Sequence, residues 1–351
     1  MQTLALSERS ALADKILANS QEAAESVTQE FFLRHPDWLA RYGERGRKLG
    51  IEDALYHQQH LACAIQADST ASFAQYAQWT VSMLGARNIA AHFVSENLEQ
   101  VARALQGTLT SSEYELVKEY VQAACTACLQ PVEQLSSKAS PQLELARGKY
   151  LQAVLKGERR EATTIALDAL EQAKDVVDLY DGLFQATQCE VGRLWQTNQI
   201  TVAEEHMATA ITQYVMAKVY DRFVEVARGR GRIVITGIEG ELHQVGSNMV
   251  ADVLEARGWD VRYLGANLPL ADVLAAIEEH KPVAVGISAT MLFSIPKAVA
   301  LVQAIRTKFA SACPRIIVGG HAFVSTATLA RELQVEGPGT DLRSALTLFE
   351  K

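Results

Sequence analysis

Glu241-Leu242-His243-Gln244-Val245-Gly246 sets a carboxylate two residues before a histidine and a glycine three residues after it. The preceding run, Ile233-Val234-Ile235-Thr236-Gly237-Ile238, is apolar and β-branched, so the six residues stand where a buried strand should end and a helix begin. A histidine on such a loop is well placed to ligate a metal, because neutral imidazole suits transition ions. Glu241 or a backbone group could accept the other ring N–H and fix the tautomer. Gly246 would let a large flat ligand approach the backbone. Similar small or polar groups follow three later apolar runs: Gly265-Ala266-Asn267, Ser288-Ala289-Thr290 and Gly319-Gly320. Forty-one residues separate Gly246 from Ser288, and twenty-eight separate Thr290 from Gly319.

These groups need a frame that brings strand ends to one edge. From Arg232 onward, short runs at Ile233–Ile238, Val261–Leu264, Val283–Ser288 and Ile316–Val318 alternate with helical patterns near Gly246–Arg257, Pro269–Glu279, Ile295–Phe309 and Ala327–Leu333. Such alternation predicts a flavodoxin-like, doubly wound parallel sheet, which binds ligands beyond the C-terminal ends of its strands. Between Gln142 and Val226 four helical patterns, broken near Gly157 and Asn198, are enough for a four-helix bundle. Before about Leu129 only helical periodicity is found, at Ala11–Phe32, Ile51–Gln66, Thr70–Leu84 and Ser95–Leu105, with Ser111-Ser112-Glu113 opening a further helix to about Cys128. Gln130–Pro141, with its serines and prolines, reads as a linker. The expected domains are 1–135, 142–228 and 231–351, an α plus α/β chain.

The ordered series Glu-x-His-x-x-Gly, Ser-x-Thr, Gly-Gly resembles the signature of cobalamin-binding domains that hold B12 base-off and histidine-on. The resemblance implies His243 as the lower axial cobalt ligand, with Glu241 beside it and Gly246 under the corrin. It further implies that the displaced nucleotide tail threads into the domain past Ser288, Thr290, Gly319 and Gly320. Gly265 and Asn267 are then expected to add contacts at the corrin rim.

A second motif lies in the bundle. Trp195 is followed after nine residues by Glu205-His206. This resembles the Trp-x9-Glu-His pattern of cobalamin photoreceptors of the transcription-regulator type, whose bundle covers the upper corrin face. The resemblance implies adenosylcobalamin, with Trp195 capping the 5′-deoxyadenosyl group and Glu205 and His206 lining its pocket. Light would break the Co–C bond and move the bundle against the sheet. In those DNA-binding photoreceptors a histidine that ligates cobalt after illumination follows the tryptophan; here Gln196 stands there. His206 could take that place.

The N-terminal helices carry Arg45, Arg47, Tyr56, His57, His60, Tyr76, Trp79 and Arg87. They resemble the globin-like sensor domain of photocobilins, which implies biliverdin as a second chromophore. His57 and His60, three apart on one helix face, could contact pyrroles. Arg45, Arg47 or Arg87 could pair with propionates, and Tyr56, Tyr76 and Trp79 could stack on rings. Haem is an alternative, since a helix histidine is its usual proximal ligand.

Composition narrows the partners. The 351 residues are 48% hydrophobic and 21% charged, an ordinary globular profile. No apolar run approaches the roughly 20 residues of a membrane span, and the first residues lack a signal-peptide pattern, so a cytoplasmic protein is expected. A net charge of -8 disfavours nucleic acid. The one dense basic run, Arg228–Arg232, is expected to be a solvated connection. Five cysteines, Cys125-x-x-Cys128 included, are too few and too scattered for a disulfide framework or a zinc site. The expectation is a non-enzymatic light sensor with small-molecule chromophores, a light-dependent homo-oligomeric state and a downstream effector. The alternatives are a corrinoid methyl carrier of a methyltransferase system, or a B12 sensor without photochemistry.

Overall fold

The computed structural model describes residues 4–130, 141–223 and 229–351. The chain forms two compact units, Met1–Glu133 and Gln134–Lys351. Among the described residues no helix is long and apolar enough to cross a membrane.

The first unit is helical: α1 (Leu6–Ala18), α2 (Ser20–Arg34), α3 (Pro36–Gln66), α4 (Thr70–Gly85), α5 (Ala91–Leu105) and α6 (Ser111–Cys128). The single helix expected from Ala11 to Phe32 is two. Asn19 leaves helical ψ at 10° and its side-chain amide donates to the Lys15 carbonyl, closing α1 and opening α2. Thr110 caps α6 by accepting from the Glu113 amide while Glu113 accepts from the Thr110 amide, a reciprocal capping box that fixes the predicted start. Leu12, Ile16, Leu61, Ile65, Phe73, Leu98, Leu105 and Val117 make the core. Arg9 is buried there, its Nε donating to the last carbonyl of α3, Gln66, where a cation offsets the helix dipole. Cys128 is buried and Cys125 half-buried, its thiol pushed up to about 12 by burial, so neither offers a thiolate; all five cysteines are free, as packing residues should be.

The second unit joins the bundle to the sheet. The bundle comprises α7 (Pro141–Leu155), α8 (Arg159–Gln172), the near-continuous run α9 (Val176–Leu179), a π-turn (Tyr180–Gln185) and α10 (Ala186–Gln196), and α11 (Val202–Tyr220). The breaks at Gly157 and Asn198 fall where expected, both residues lying at positive φ. The sheet strands are β1 (Arg232–Gly237), β2 (Asp260–Tyr263), β3 (Ala284–Ser288), β4 (Arg315–Gly319) and β5 (Glu336–Gly339), paired parallel in the order β2-β1-β3-β4-β5. That is the flavodoxin-like order, with its switch point between β1 and β3. The helices are α12 (Val245–Ala256), α13 (Leu270–His280), α14 (Ile295–Phe309), the short α15 (His321–Ser325) and α16 (Ala327–Glu332), and α17 (Leu342–Phe349).

β5 and α17 were not expected. Glu336-Gly-Pro-Gly339 has no strand propensity; its place is fixed by pairing at the sheet edge. α17 is short, capped by Asp341, and lays Leu342, Leu346 and Phe349 into the core. Bundle and sheet share that core: Leu143, Tyr180, Phe184, Val215 and Val219 pack with Met249, Val253 and Leu254. Two phenols tie it at the polar margin, Tyr180 donating to Asp252 at 2.9 Å and Tyr220 to Glu255. The basic run is exposed at Gly229, Arg230 and Arg232, as a solvated connection should be, and it is also anchored to the sheet domain. Arg228, like most of the linker read at 130–141 and the last residues assigned to the bundle, lies outside the described residues. The Gly229 and Arg230 amides donate to the Gly258 carbonyl, and the Arg230 guanidinium sits over the Trp259 ring at 5.4 Å.

Candidate functional site

The loop after β1 is organised by one buried carboxylate. Glu241 has no exposed surface and accepts from five donors. Its Oε1 takes the His243 amide at 3.1 Å and His243 Nδ1 at 2.6 Å. Its Oε2 takes the Thr290 amide at 2.8 Å, the Met291 amide at 3.1 Å and Ser294 Oγ at 3.1 Å. Burial alone would raise the Glu241 pKa, but these bonds outweigh it and hold the carboxyl at about 2. The anion therefore pins the β1 loop to the β3 loop. Met291 and Ser294 were not anticipated: a backbone amide leaves no mark in sequence, and a serine in a 3-10 turn reads as an ordinary loop residue.

His243 is the half-exposed partner of that carboxylate. With Nδ1 committed to Glu241, Nε2 is the ring nitrogen left for a ligand, the selection that a carboxylate–histidine–metal relay makes. The imidazole pKa is raised, first by the Glu241 hydrogen bond, against burial, and then by the charges of Glu241 and Glu205. Glu205 belongs to the bundle, so a charge on α11 reaches the imidazole at the sheet edge. Trp195 and Gln196 end α10, and Glu205 and His206 lie in the first turn of α11. His206 Nδ1 meets Glu205 Oε2 at 2.6 Å, and Thr209 Oγ1 lies 3.1 Å from Glu205 Oε1. From Thr209 a polar chain enters the bundle through Gln188 (2.9 Å), Thr212 (2.8 Å) and the buried Tyr150 (3.3 Å). Sequence reading named the motif but not this support.

The remaining strand-end residues divide by role. A Cβ added to Gly246 would meet nothing within 4 Å, so the start of α12 is open to a ligand. Gly320 differs. Its φ is +91°, and a Cβ would lie 2.3 Å from the Ala289 carbonyl oxygen. The β3 loop therefore demands this glycine whether or not a tail passes it. Gly319 makes only ordinary contact with Gly339. Gly265 is at φ +84°, and Asn267 accepts from the Gly240 amide at 2.8 Å, tying the β2 loop to the β1 loop. Ser288, half-buried, pairs across to Gly319, and the Thr290 amide donates to Glu241.

In the helical unit His57, His60, Tyr76 and Trp79 come together. His57 Nδ1 meets the Tyr76 hydroxyl at 2.7 Å, the His60 and Tyr76 rings stack at 3.7 Å, and Tyr76 and Trp79 lie 6.5 Å apart. Burial, with His60 next, takes His57 down to about 3; burial, opposed by the bond to the Tyr56 carbonyl, takes His60 to about 4. Both are neutral imidazoles. The other residues stand apart or at the margin: Arg45 is exposed, Tyr56 is exposed but meets His60 Nδ1 through its carbonyl at 2.9 Å, Arg47 lies over Phe32 and pairs with Glu44, and Arg87, in the turn after α4, donates to the Met83 carbonyl. The histidines bind protons less readily folded than unfolded, so their share of stability is present above pH 6.5 and is lost as pH falls towards 4. Asp53, raised by burial and Glu52 to about 6, works the other way, being stabilising at low pH. Two groups against one leave a net loss of stability as pH falls from 6 towards 4. Hydrogen exchange across α3 and α4, corrected for intrinsic rate, should show protection falling over that interval; constant protection would contradict the burial of both rings.

Among the described residues no group of three or more histidine, cysteine or acidic side chains could hold a bare metal ion. A single braced imidazole beside open backbone instead fits a metal that brings its own equatorial ligands. Two family models match this unit, each described as a B12 binding domain, over 231–347 and over 146–220. Both parts of the unit are B12-binding domains. The pair leaves the N-terminal helical unit outside. A methanol–corrinoid protein of Methanosarcina barkeri is 28% identical over 131 residues, 37% of this chain and 51% of that protein. The chain thus spans about half the length of that relative. The HTH-type transcriptional repressor CarA of Myxococcus xanthus is 28% identical over 151 residues, 43% of this chain and 50% of that protein. Among solved structures, the monomethylamine corrinoid protein of Methanosarcina barkeri aligns with a TM-score of 0.50 at 16% identity, covering 59% of this chain and 98% of that one, which shows a shared fold. A corrinoid fits the residues present here: His243 would offer Nε2 to its metal, and Gly246 leaves open space beside the backbone.

Proposed function

We propose that this chain is a light sensor that binds 5′-deoxyadenosylcobalamin base-off and histidine-on, with biliverdin as a second chromophore in the N-terminal unit. His243 holds the cofactor through Nε2, Glu241 fixes the imidazole, and Thr290, Ser288 and the Gly319-Gly320 turn flank the tail. The bound cofactor supplies one weak cobalt–carbon bond that visible light breaks. The observation that carries the reading is the Glu205–His206 pair at the start of α11, joined at 2.6 Å, whose Glu205 charge adds to the raised pKa of His243, with Trp195 in the last turn of α10. An aromatic cap keeps water from an upper ligand, and a braced carboxylate accepts from ribose or adenine donors. The His57–His60–Tyr76–Trp79 cluster supports a ring-shaped ligand in the other unit. The output is a change of domain contacts and oligomeric state, read by an effector protein.

A second reading is favoured by the relatives. The relative named a methanol–corrinoid protein supports, more than a light sensor, a corrinoid carrier of a methyltransferase system. In it, His243 serves a methyl carrier whose partner is a methyltransferase subunit, and the N-terminal unit is an addition. One experiment separates the two. The protein is loaded with adenosylcobalamin in the dark, and its absorption spectrum and elution volume are recorded before and after green light. A sensor changes both; a carrier, or a B12 sensor without photochemistry, keeps its elution volume. Added biliverdin should give a red band, and its absence would remove the second chromophore. His243→Ala should abolish the histidine-ligated dark spectrum, and an unaltered spectrum would remove the axial assignment.

A further inference from the structure

α3 presents an unusual outer face. α1 and α2 cover its inner side, where Ala54, Gln58, Leu61 and Ala62 are buried. The opposite side carries Arg45, Leu49, Glu52, Tyr56 and Gln59, spaced four, three, four and three residues apart, with Lys48 beside them. That spacing is one stripe of an α-helix. Leu49 is 47% exposed and Tyr56 53% exposed. The charges on the stripe are sorted: Arg45 and Lys48 at the N-terminal end, Glu52 and the half-buried Asp53 towards the other. Lys48 and Glu52 stand four apart, at pairing distance along a helix. Yet among the described residues Arg45, Lys48 and Glu52 make no ion pair.

We propose that this face is a homotypic docking surface, on which a second copy of the chain lays its own α3 antiparallel across a two-fold axis. A two-fold contact must be self-complementary, since each residue i that meets j is matched by j meeting i. A stripe that is basic at one end and acidic at the other satisfies this only when antiparallel. With the axis near residues 50 and 51, Lys48 of each copy meets Glu52 of the other, Arg45 lies over the second copy's Tyr56 ring, and the two Leu49 side chains pack between them. Asp53, whose carboxyl is raised by burial and then by Glu52, lies beside the Lys48 that the second copy brings. One helix face is small against the area of a permanent interface, so the dimer is reversible and forms in the micromolar range. The surface lies in the N-terminal unit and does not depend on how the B12-binding domains are used.

The test is sedimentation velocity of the full chain over a range of concentrations, in the dark. The wild type should sediment as a monomer–dimer equilibrium. Lys48→Glu and Glu52→Lys should each weaken the dimer about tenfold, because two symmetry-related pairs turn from attraction to repulsion. The double exchange, Lys48→Glu with Glu52→Lys, should return it to near the wild-type value. Leu49→Lys should weaken it and should not be rescued. A monomer at every concentration, a dimer indifferent to the single exchanges, or a double exchange as weak as the singles would each overturn the proposal. All three substituted positions are exposed, so circular dichroism and thermal midpoints should stay unchanged, and this separates a lost contact from a lost fold.

Discussion

Glu241→Ala should destabilise the C-terminal unit by about 3–5 kcal/mol, the range for removing one side of a buried charged network. The substitution leaves the Thr290 and Met291 amides and Ser294 Oγ without an acceptor and frees the β1 loop from the β3 loop. Chemical denaturation followed by circular dichroism would measure it, with His243→Ala as the comparison. Removing the imidazole leaves the three bonds to Oε2 in place and should cost far less. Glu241→Gln separates stability from binding. An amide oxygen can still accept from the β3 loop, but the amide nitrogen then faces His243 and donates to Nδ1. That drives the imidazole proton to Nε2, the nitrogen needed for the metal. The glutamine variant should stay folded and lose cobalamin affinity by about 10–100-fold, the usual effect of removing a ligand's supporting partner. Equal affinity in the two proteins would mean that Glu241 is a structural anion alone.

The second large effect concerns two glycines of one motif series. Gly320→Val should cost about 2–5 kcal/mol, because the residue lies at φ +91° and its Cβ would press into the Ala289 carbonyl, and a β-branched chain tolerates neither. Gly246→Ala has the opposite sign. The position is helical, open, and at no special φ, so alanine should stabilise the ligand-free protein by up to about 1 kcal/mol through helix propensity. Its effect should appear in cobalamin binding, which the new methyl group would weaken. Thermal midpoints without cofactor, followed by titration with cobalamin, would show both. Loss of stability at Gly246, or none at Gly320, would reverse the assignment of the two.

These cases show what sequence could and could not say. The apolar runs located four of the five strands within a residue or two, and α14 was read to its ends, because burial on both faces leaves an unbroken β-branched signature. β5 escaped because Glu336-Gly-Pro-Gly339 forms a strand only by leaning on β4. The break at Asn19 escaped because the apolar spacing runs through it. The pairing of Glu241 with His243 was one of two options in sequence; its companions on Oε2 were invisible, since two of the three are backbone amides. Gly320 was found as part of a motif, but its cause lies in a carbonyl 31 residues earlier in the chain. In the helical unit, His57, His60, Tyr76 and Trp79 converge as hoped. Arg45 and Arg47 face elsewhere, because helical spacing fixes a face and not what that face meets.

The continuous core under the bundle has a kinetic consequence. With Tyr180 and Phe184 packed against Val253 and Leu254, and Tyr180 tethered to Asp252, the bundle is not a lid on a free hinge. If cobalamin binds as proposed, at His243 beneath the α10–α11 corner, it would have to enter and leave from the side, without the bundle swinging away. Loading should then be slow and residence long, so that the occupancy of each molecule would record the cofactor supply at the time it was made rather than the supply of the moment.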